Sequence, residues 1–204
     1  MPLNRKTRKY LKITAIIFAA LLFVMAAGFF LLTRLSSRVT QNLDNYVYEL
    51  PFSPGARFKV VQGYGGLFSH KNTAALDFGM PEGTPVHAAR DGVVFSYRDH
   101  FNEGGPWPKY RNRANYIMIR HSDGSYGCYW HLQKNGVVVK KGPVAKGQLI
   151  GYSGATGFVL RPHLHFSVKR VLNYEMDSFV RTKFRTGNGV ELLRRGNRYT
   201  RPVE

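Results

Sequence analysis

The sequence predicts an all-β domain, an antiparallel sandwich or barrel-like sheet, preceded by one membrane-crossing helix. Three observations carry this. Ile13 to Thr33 is a run of 21 residues without a charge. No segment after Thr33 sustains a 3.6-residue apolar period. From Arg57 onward, short runs of alternating character are separated by glycine, proline and polar turns, the pattern of strands in an antiparallel sheet.

The first element is the apolar run. As a helix it is roughly 31 Å long, about the thickness of a bilayer core. Arg5, Lys6, Arg8, Lys9 and Lys12 precede it, and only Arg34 and Arg38 follow closely. The denser positive cluster marks residues 1–12 as a cytoplasmic basic segment and puts everything after Thr33 outside the cytoplasm. The run exceeds the usual length of a cleaved signal peptide. It also continues through Phe29 to Leu32, past its small-residue cluster Ala26-Ala27-Gly28, so an uncleaved signal anchor over 13–33 is expected.

Residues 34–55 are expected to form a linker ending in the Pro51-Phe52-Ser53-Pro54-Gly55 break. The globular domain is placed at 56–185. Its strands are expected at Phe58–Val61, Ala74–Phe78, Val86–Tyr97 with an interruption at Asp91-Gly92, Tyr116–His121, Tyr126–His131, Gly136–Val139, Gln148–Tyr152, His163–Val168 and Phe179–Phe184. Ser122-Asp123-Gly124-Ser125 reads as a hairpin turn. Phe101–Arg113, with two prolines and two glycines, reads as a surface loop. Residues 186–204 read as a polar, basic C-terminal tail.

The net charge is +18, of which the N-terminal cluster supplies five. A basic exported surface attracts polyanions. An exported, tethered domain meets little nucleic acid, so an anionic lipid or an acidic wall polymer suits it better. Cys128 is the one cysteine, which rules out an internal disulfide and a thiolate-rich zinc site.

The chemistry centres on Pro162-His163-Leu164-His165-Phe166. In a strand, His163, His165 and Ser167 share one face, and Leu164, Phe166 and Val168 anchor the other. Tyr129-Trp130-His131-Leu132 ends another alternating run. Strand parity there puts His131 with Gly127 and Tyr129, opposite Cys128 and Trp130. Asp77 stands between Leu76 and Phe78, where a carboxylate is costly unless paired or bound to a cation. His70 lies seven residues upstream of Asp77 in a glycine-rich stretch. Histidines and an aspartate without cysteine form a nitrogen/oxygen donor set that suits a catalytic zinc.

These motifs, in this order, resemble the lysostaphin/LytM-type zinc metallopeptidases that cut peptide bonds of peptidoglycan. Pro81–Val94, Asn115–His121 and Lys146–Gly157 extend the likeness over roughly Gly63 to Val168. The resemblance implies one zinc ion held by His70, Asp77 and His165. It implies that His131 and His163 stand beside the metal, orienting or deprotonating water and stabilising the oxyanion. It also implies peptidoglycan as partner and a catalytic domain on the extracytoplasmic side of the cytoplasmic membrane.

One departure stands out. The common pattern has its first histidine four residues before the aspartate, where this chain has Thr73. An odd spacing of seven puts His70 and Asp77 on opposite faces of a regular strand. They can meet only if His70 sits on a loop, for which Lys71-Asn72-Thr73 is suited, or if a bulge intervenes. The alternative is a catalytically inactive relative that binds wall or activates other hydrolases. Tyr64, Tyr129 and Trp107 are candidates for lining the groove. His87, His100 and His121 read as incidental.

Overall fold

The computed structural model describes residues 4–36, 43–66, 69–71, 73–172 and 178–203. The chain divides into two compact units, Met1–Arg38 and Val39–Glu204. The first is a single helix, α1 (Arg5–Ser36), that includes the basic cluster expected ahead of it. Asn4 caps it, its Oδ1 accepting from the backbone N–H of Lys6 at 2.8 Å and of Thr7 at 3.1 Å. Arg5–Leu31 is long and apolar enough to cross a membrane, with a mean hydropathy of 2.6 over an 18-residue window within it.

The second unit is built of strands: β1 (Leu43–Glu49), β2 (Arg57–Gln62), β3 (Ala75–Gly79), β4 (Pro85–His87), β5 (Gly92–Arg98), β6 (Gly104–Gly105), β7 (Asn115–Arg120), β8 (Tyr126–Val137), β9 (Pro143–Val144), β10 (Leu149–Ser153), β11 (Gly157–Phe158), β12 (Leu164–Lys169), β13 (Phe179–Thr186), β14 (Gly189–Leu192) and β15 (Arg198–Thr200). The main sheet runs β15-β2-β3-β12-β8-β7-β5-β9, antiparallel at every step. β10 pairs with β4 and with the far half of β8, and β13 joins β12, β14 and, in parallel, β1. The all-β, chiefly antiparallel expectation therefore holds.

β12 and β8 lie at the middle of the sheet, and their register sorts its two faces. Leu76, Phe166, Tyr129 and Ile117 align across β3, β12, β8 and β7, and all are buried. Around Phe166 the rings of Tyr129, Phe184 and Tyr48 pack edge-on at 5.1, 5.7 and 6.3 Å. The adjoining row, Asp77, His165, Trp130 and Tyr116, points the other way. The β7–β8 hairpin closes where expected. Asp123 Oδ1 accepts from Ser125 N at 3.0 Å and Ser125 Oγ at 2.6 Å, and Gly124 takes a φ of +83°.

The boundaries differ from the sequence reading at both ends. Residues 37–42 of the expected linker lie outside the described residues, but its second half is strand. β1 pairs Tyr48 with Phe184, and Tyr48, Leu50 and Phe52 are fully buried. Alternation through Tyr46, Tyr48, Leu50 and Phe52 carries that signal, and the adjacent prolines obscure it. The expected tail is also folded. β14 pairs with β13, β15 covers the edge of β2, and Leu193 and Tyr199 join the core. Val86–Tyr97 is interrupted as expected, though slightly earlier: β4 and β5 flank a bend at Ala89 and Arg90. Arg90 Nη1 reaches Asp123 Oδ2 at 2.7 Å, and its guanidinium lies 4.0 Å from the Tyr46 ring centre. Tyr126–His131 and Gly136–Val137 merge into one bent strand, β8.

Each buried large apolar side chain contributes about 1.5–3 kcal/mol, and a fragment cut at 56–185 loses five of them: Tyr48, Leu50, Phe52, Leu193 and Tyr199. That fragment should therefore show no cooperative unfolding in a urea titration followed by circular dichroism. Residues 39–204 should unfold in one step. Equal stability of the two would overturn this account of the domain limits.

Candidate metal centre

Pairing of β12 with β3 sets His165 opposite Asp77, with Nδ1 of the histidine 2.9 Å from Oδ1 of the aspartate. His70 precedes β3, on the loop between β2 and β3, so strand parity does not govern it. That loop is tied back by hydrogen bonds from Thr73 N to His70 O at 3.1 Å and from Gly65 N to Thr73 O at 3.3 Å. Asn72 lies outside the described residues. His70 is fully buried, and its Nε2 stands 3.1 Å from both Asp77 Oδ1 and His165 Nδ1.

Three ligand atoms thus form a nearly equilateral triangle with edges of 2.9, 3.1 and 3.1 Å. Ligands at ~2.0–2.1 Å in a tetrahedral zinc site lie about 3.3 Å apart, so the triangle matches such an ion. The donor chemistry agrees. His70 Nδ1 is 3.1 Å from the carbonyl oxygen of Gly63. A carbonyl only accepts, so the proton sits on Nδ1 and Nε2 presents a lone pair. Among the described residues, His70, Asp77 and His165 are the group whose ligand atoms converge closely enough to hold an ion. Burial tends to raise the Asp77 carboxyl, but the neighbouring His165 and His70 outweigh it and hold it well below the usual carboxylate range.

His163 and His131 border this triangle. His163 Nε2 lies 3.6 Å from Asp77 Oδ1, and its Nδ1 donates to Arg161 O at 2.8 Å. The His131 ring is centred 4.7 Å from that of His163 and 5.9 Å from that of His165. His131 Nδ1 donates to Thr156 O at 2.7 Å. Both rings therefore carry the proton on Nδ1 and leave Nε2 bare. Burial, followed by the neighbouring His163 and His165, pushes the His131 pKa down to about 3. Burial likewise lowers His165.

His131 does not arrive by strand parity. Tyr129, which parity puts on its face, is buried in the core with its hydroxyl accepting from Ala89 N at 2.8 Å. Instead, His131 takes a φ of +67°, and the β7–β8 register slips by one residue beside it. The extra residue swings the imidazole out of the core-facing row. A left-handed non-glycine residue costs about 1–3 kcal/mol and persists only where its surroundings impose it.

Here they come from the 153–157 loop, whose part the sequence reading missed. Thr156 takes His131 on its carbonyl, and its Oγ1 donates to Leu132 O at 2.7 Å and accepts from Asn115 N at 2.9 Å. A Cβ on Gly154 would stand 2.5 Å from Gln133 N, and one on Gly157 2.5 Å from Ala114 Cβ. The Ser-Gly-Ala-Thr-Gly text is therefore what lets this loop lie against the bulge.

The five site residues of the sequence reading come together. The proposed groove-lining set does not. Tyr129 is core, Tyr64 donates its hydroxyl to Thr182 O at 3.0 Å, and Trp107 projects to solvent at 63% exposure. His87 and His121 lie apart from the cluster, bonded through Nδ1 to Gly147 O at 2.8 Å and Asp91 O at 2.7 Å.

The carbonyl contacts make a prediction for the metal-free protein. Long-range proton–nitrogen NMR spectra should show His70, His131 and His163 with the proton on Nδ1. Thr156→Val leaves Leu132 O and Asn115 N unpaired, at about 1–3 kcal/mol each, so its urea midpoint should fall. A protonated Nε2 on His131 in the wild type would contradict the assignment.

The family model described as Peptidase family M23 matches residues 71–178, a span that begins one residue after His70 and contains the other four. Peptidoglycan DD-endopeptidase ShyA of Vibrio cholerae is 44% identical over 93 residues, 45% of this chain and 19% of the relative. Peptidoglycan DD-endopeptidase ShyB of the same organism is 37% identical over 118 residues, 57% of this chain and 24% of the relative. The chain thus spans about a fifth to a quarter of the length of these curated relatives. Among solved structures, the catalytic domain of the M23 protein EnpA from Enterococcus faecalis gives a TM-score of 0.47 at 23% identity, over 63% of this chain and 93% of that one. With over half of its length matched and four of the five cluster residues inside the match, the chain belongs to Peptidase family M23.

Proposed function

We propose that the chain is a zinc metalloendopeptidase that hydrolyses peptide bonds in the stem peptides or cross-links of peptidoglycan. The observation that carries this reading is the convergence of three lone-pair atoms, His70 Nε2, Asp77 Oδ1 and His165 Nδ1, beside two imidazoles with bare Nε2 atoms. His70, Asp77 and His165 would hold the zinc, whose chemistry when bound is to polarise a carbonyl and make water acidic. Family membership and the names of the relatives supply the substrate class.

The remaining work falls to the protein. The nearer of His131 and His163 takes the proton of the attacking water on Nε2 and passes it to the departing amine. Once protonated, the same Nε2 donates to the oxyanion. Arg161 O and Thr156 O keep the two rings in the tautomer this requires. The convergence of all five side chains, with both rings held ready by backbone carbonyls, favours an active peptidase over a decayed, wall-binding relative.

We place the enzyme as a single-pass protein of the cytoplasmic membrane, with α1 as signal anchor, residues 1–12 inside and the catalytic unit on the extracytoplasmic side. The length and hydropathy of α1 and the five cations at its N-terminal end support this. The excess of basic residues beyond them suits anionic lipid or wall polymer rather than nucleic acid in that compartment.

The zinc-loaded full chain in detergent should release soluble fragments from isolated sacculi, and a chelator should stop it. His70→Ala should lower zinc content from near one per chain and cut the rate at least about 100-fold. His131→Ala should keep its zinc and lose roughly 10²–10⁴ in rate. Zinc-loaded protein that bound sacculi but released nothing would sink the proposal.

A further inference from the structure

A cavity of about 530 Å³, apart from the histidine cluster, opens among β13, β14, β15 and the turn between the last two. Its wall includes Tyr64, Arg181, Glu191, Leu193, Asn197 and Tyr199. The volume is in the range of small-molecule sites, ~300–1,000 Å³. Apart from Tyr64, these residues lie C-terminal to the span matched by the family model. None of them belongs to the histidine cluster.

The polar groups of this wall are out of balance. Arg181 Nε is buried, and no group among the described residues accepts its proton. A buried charged donor without an acceptor is costly, so it calls for one. The Tyr199 hydroxyl, on a residue only 3% exposed, accepts from Arg194 N at 2.9 Å and from Asn197 Nδ2 at 3.4 Å. Those two contacts use its lone pairs and leave its proton to donate. Glu191 is the carboxylate of the wall, and its Oε1 is already taken by Thr186 Oγ1 at 2.7 Å. Arg194 adds a second guanidinium. Leu192, Leu193 and the Tyr64 ring supply an apolar side.

We propose that this cavity binds the carboxylate of a small, partly apolar molecule about the size of a terminal peptide residue, with Arg181 as its anchor. A guanidinium offers a planar fork of donors that matches a carboxylate, and the Tyr199 hydroxyl can complete its coordination. The apolar side accommodates the body of the ligand. The site connects to the histidine cluster through one loop. Tyr64 follows Gly63, whose carbonyl holds His70, and a Cβ on Gly63 would stand 3.4 Å from Arg195 N.

The test is calorimetric titration of the full chain in detergent with N-acetyl-alanyl-alanine, its C-terminal amide and inorganic phosphate. The free acid should bind at least about tenfold more tightly than the amide or phosphate. Arg181→Gln should weaken the acid at least about tenfold. Asn197→Asp, at an exposed position on the rim, should also weaken it, and it decides the matter if Arg181→Gln does not fold. A chelator should leave the affinity unchanged. Equal binding of acid and amide, equal binding of phosphate, or no binding at roughly 10 mM would overturn the proposal. So would indifference to Arg181→Gln in a folded variant, or loss of binding with the chelator, which would move the ligand to the histidine cluster. Because the readout is binding in the presence of chelator, it succeeds or fails independently of peptidase activity.

Discussion

The histidine cluster depends above all on the pairing of β12 with β3 on one side and β8 on the other. That pairing sets His165 between Asp77 and Trp130. It is locked from behind, because Leu164, Phe166 and Val168 are all buried. A slip of one residue on either side would turn His165 into the core and Phe166 into solvent. The aromatic packing around Phe166 therefore does more than stabilise the domain. It determines which atoms face the front of the sheet.

Around that rigid centre, backbone carbonyls set the chemistry of the imidazoles. Gly63, Thr156 and Arg161 each take the Nδ1 proton of one histidine. A neutral imidazole has one proton to place, so each contact dictates a bare Nε2. The same logic accounts for the strained backbone at His131. His131 must leave the face that its strand assigns, and it does so at a positive φ that Thr156 and the glycines beside it hold in place.

Outside the central strands, the two ends of the unit act as supports. β1 and the β14–β15 segment bury aromatic and aliphatic side chains against the same core. The turn after β14 also touches Gly63, the residue that orients His70. The C-terminal segment thus forms part of the wall behind the site, although nothing in its polar composition announces it. The cavity beside Arg181, whose Nε has no acceptor among the described residues, arises only where β13, β14 and β15 meet.

How much of this was legible in the sequence differs from residue to residue. The strand class, the hairpin at Asp123-Gly124 and the alternation that turns His165 away from Leu164 and Phe166 follow from period two or from turn residues, both local properties. The apolar helix follows from length and the absence of charge. Strand parity failed for His131, because a bulge is a register event between two strands and leaves no periodic trace in one. It was mute for His70, whose seven-residue step is harmless on a loop and prohibitive on a strand. Sequence alone thus determined which residue types were available and which strands would carry them. Only the tertiary structure decided that five of them converge, because convergence depends on loops, bulges and carbonyl contacts between segments distant along the chain.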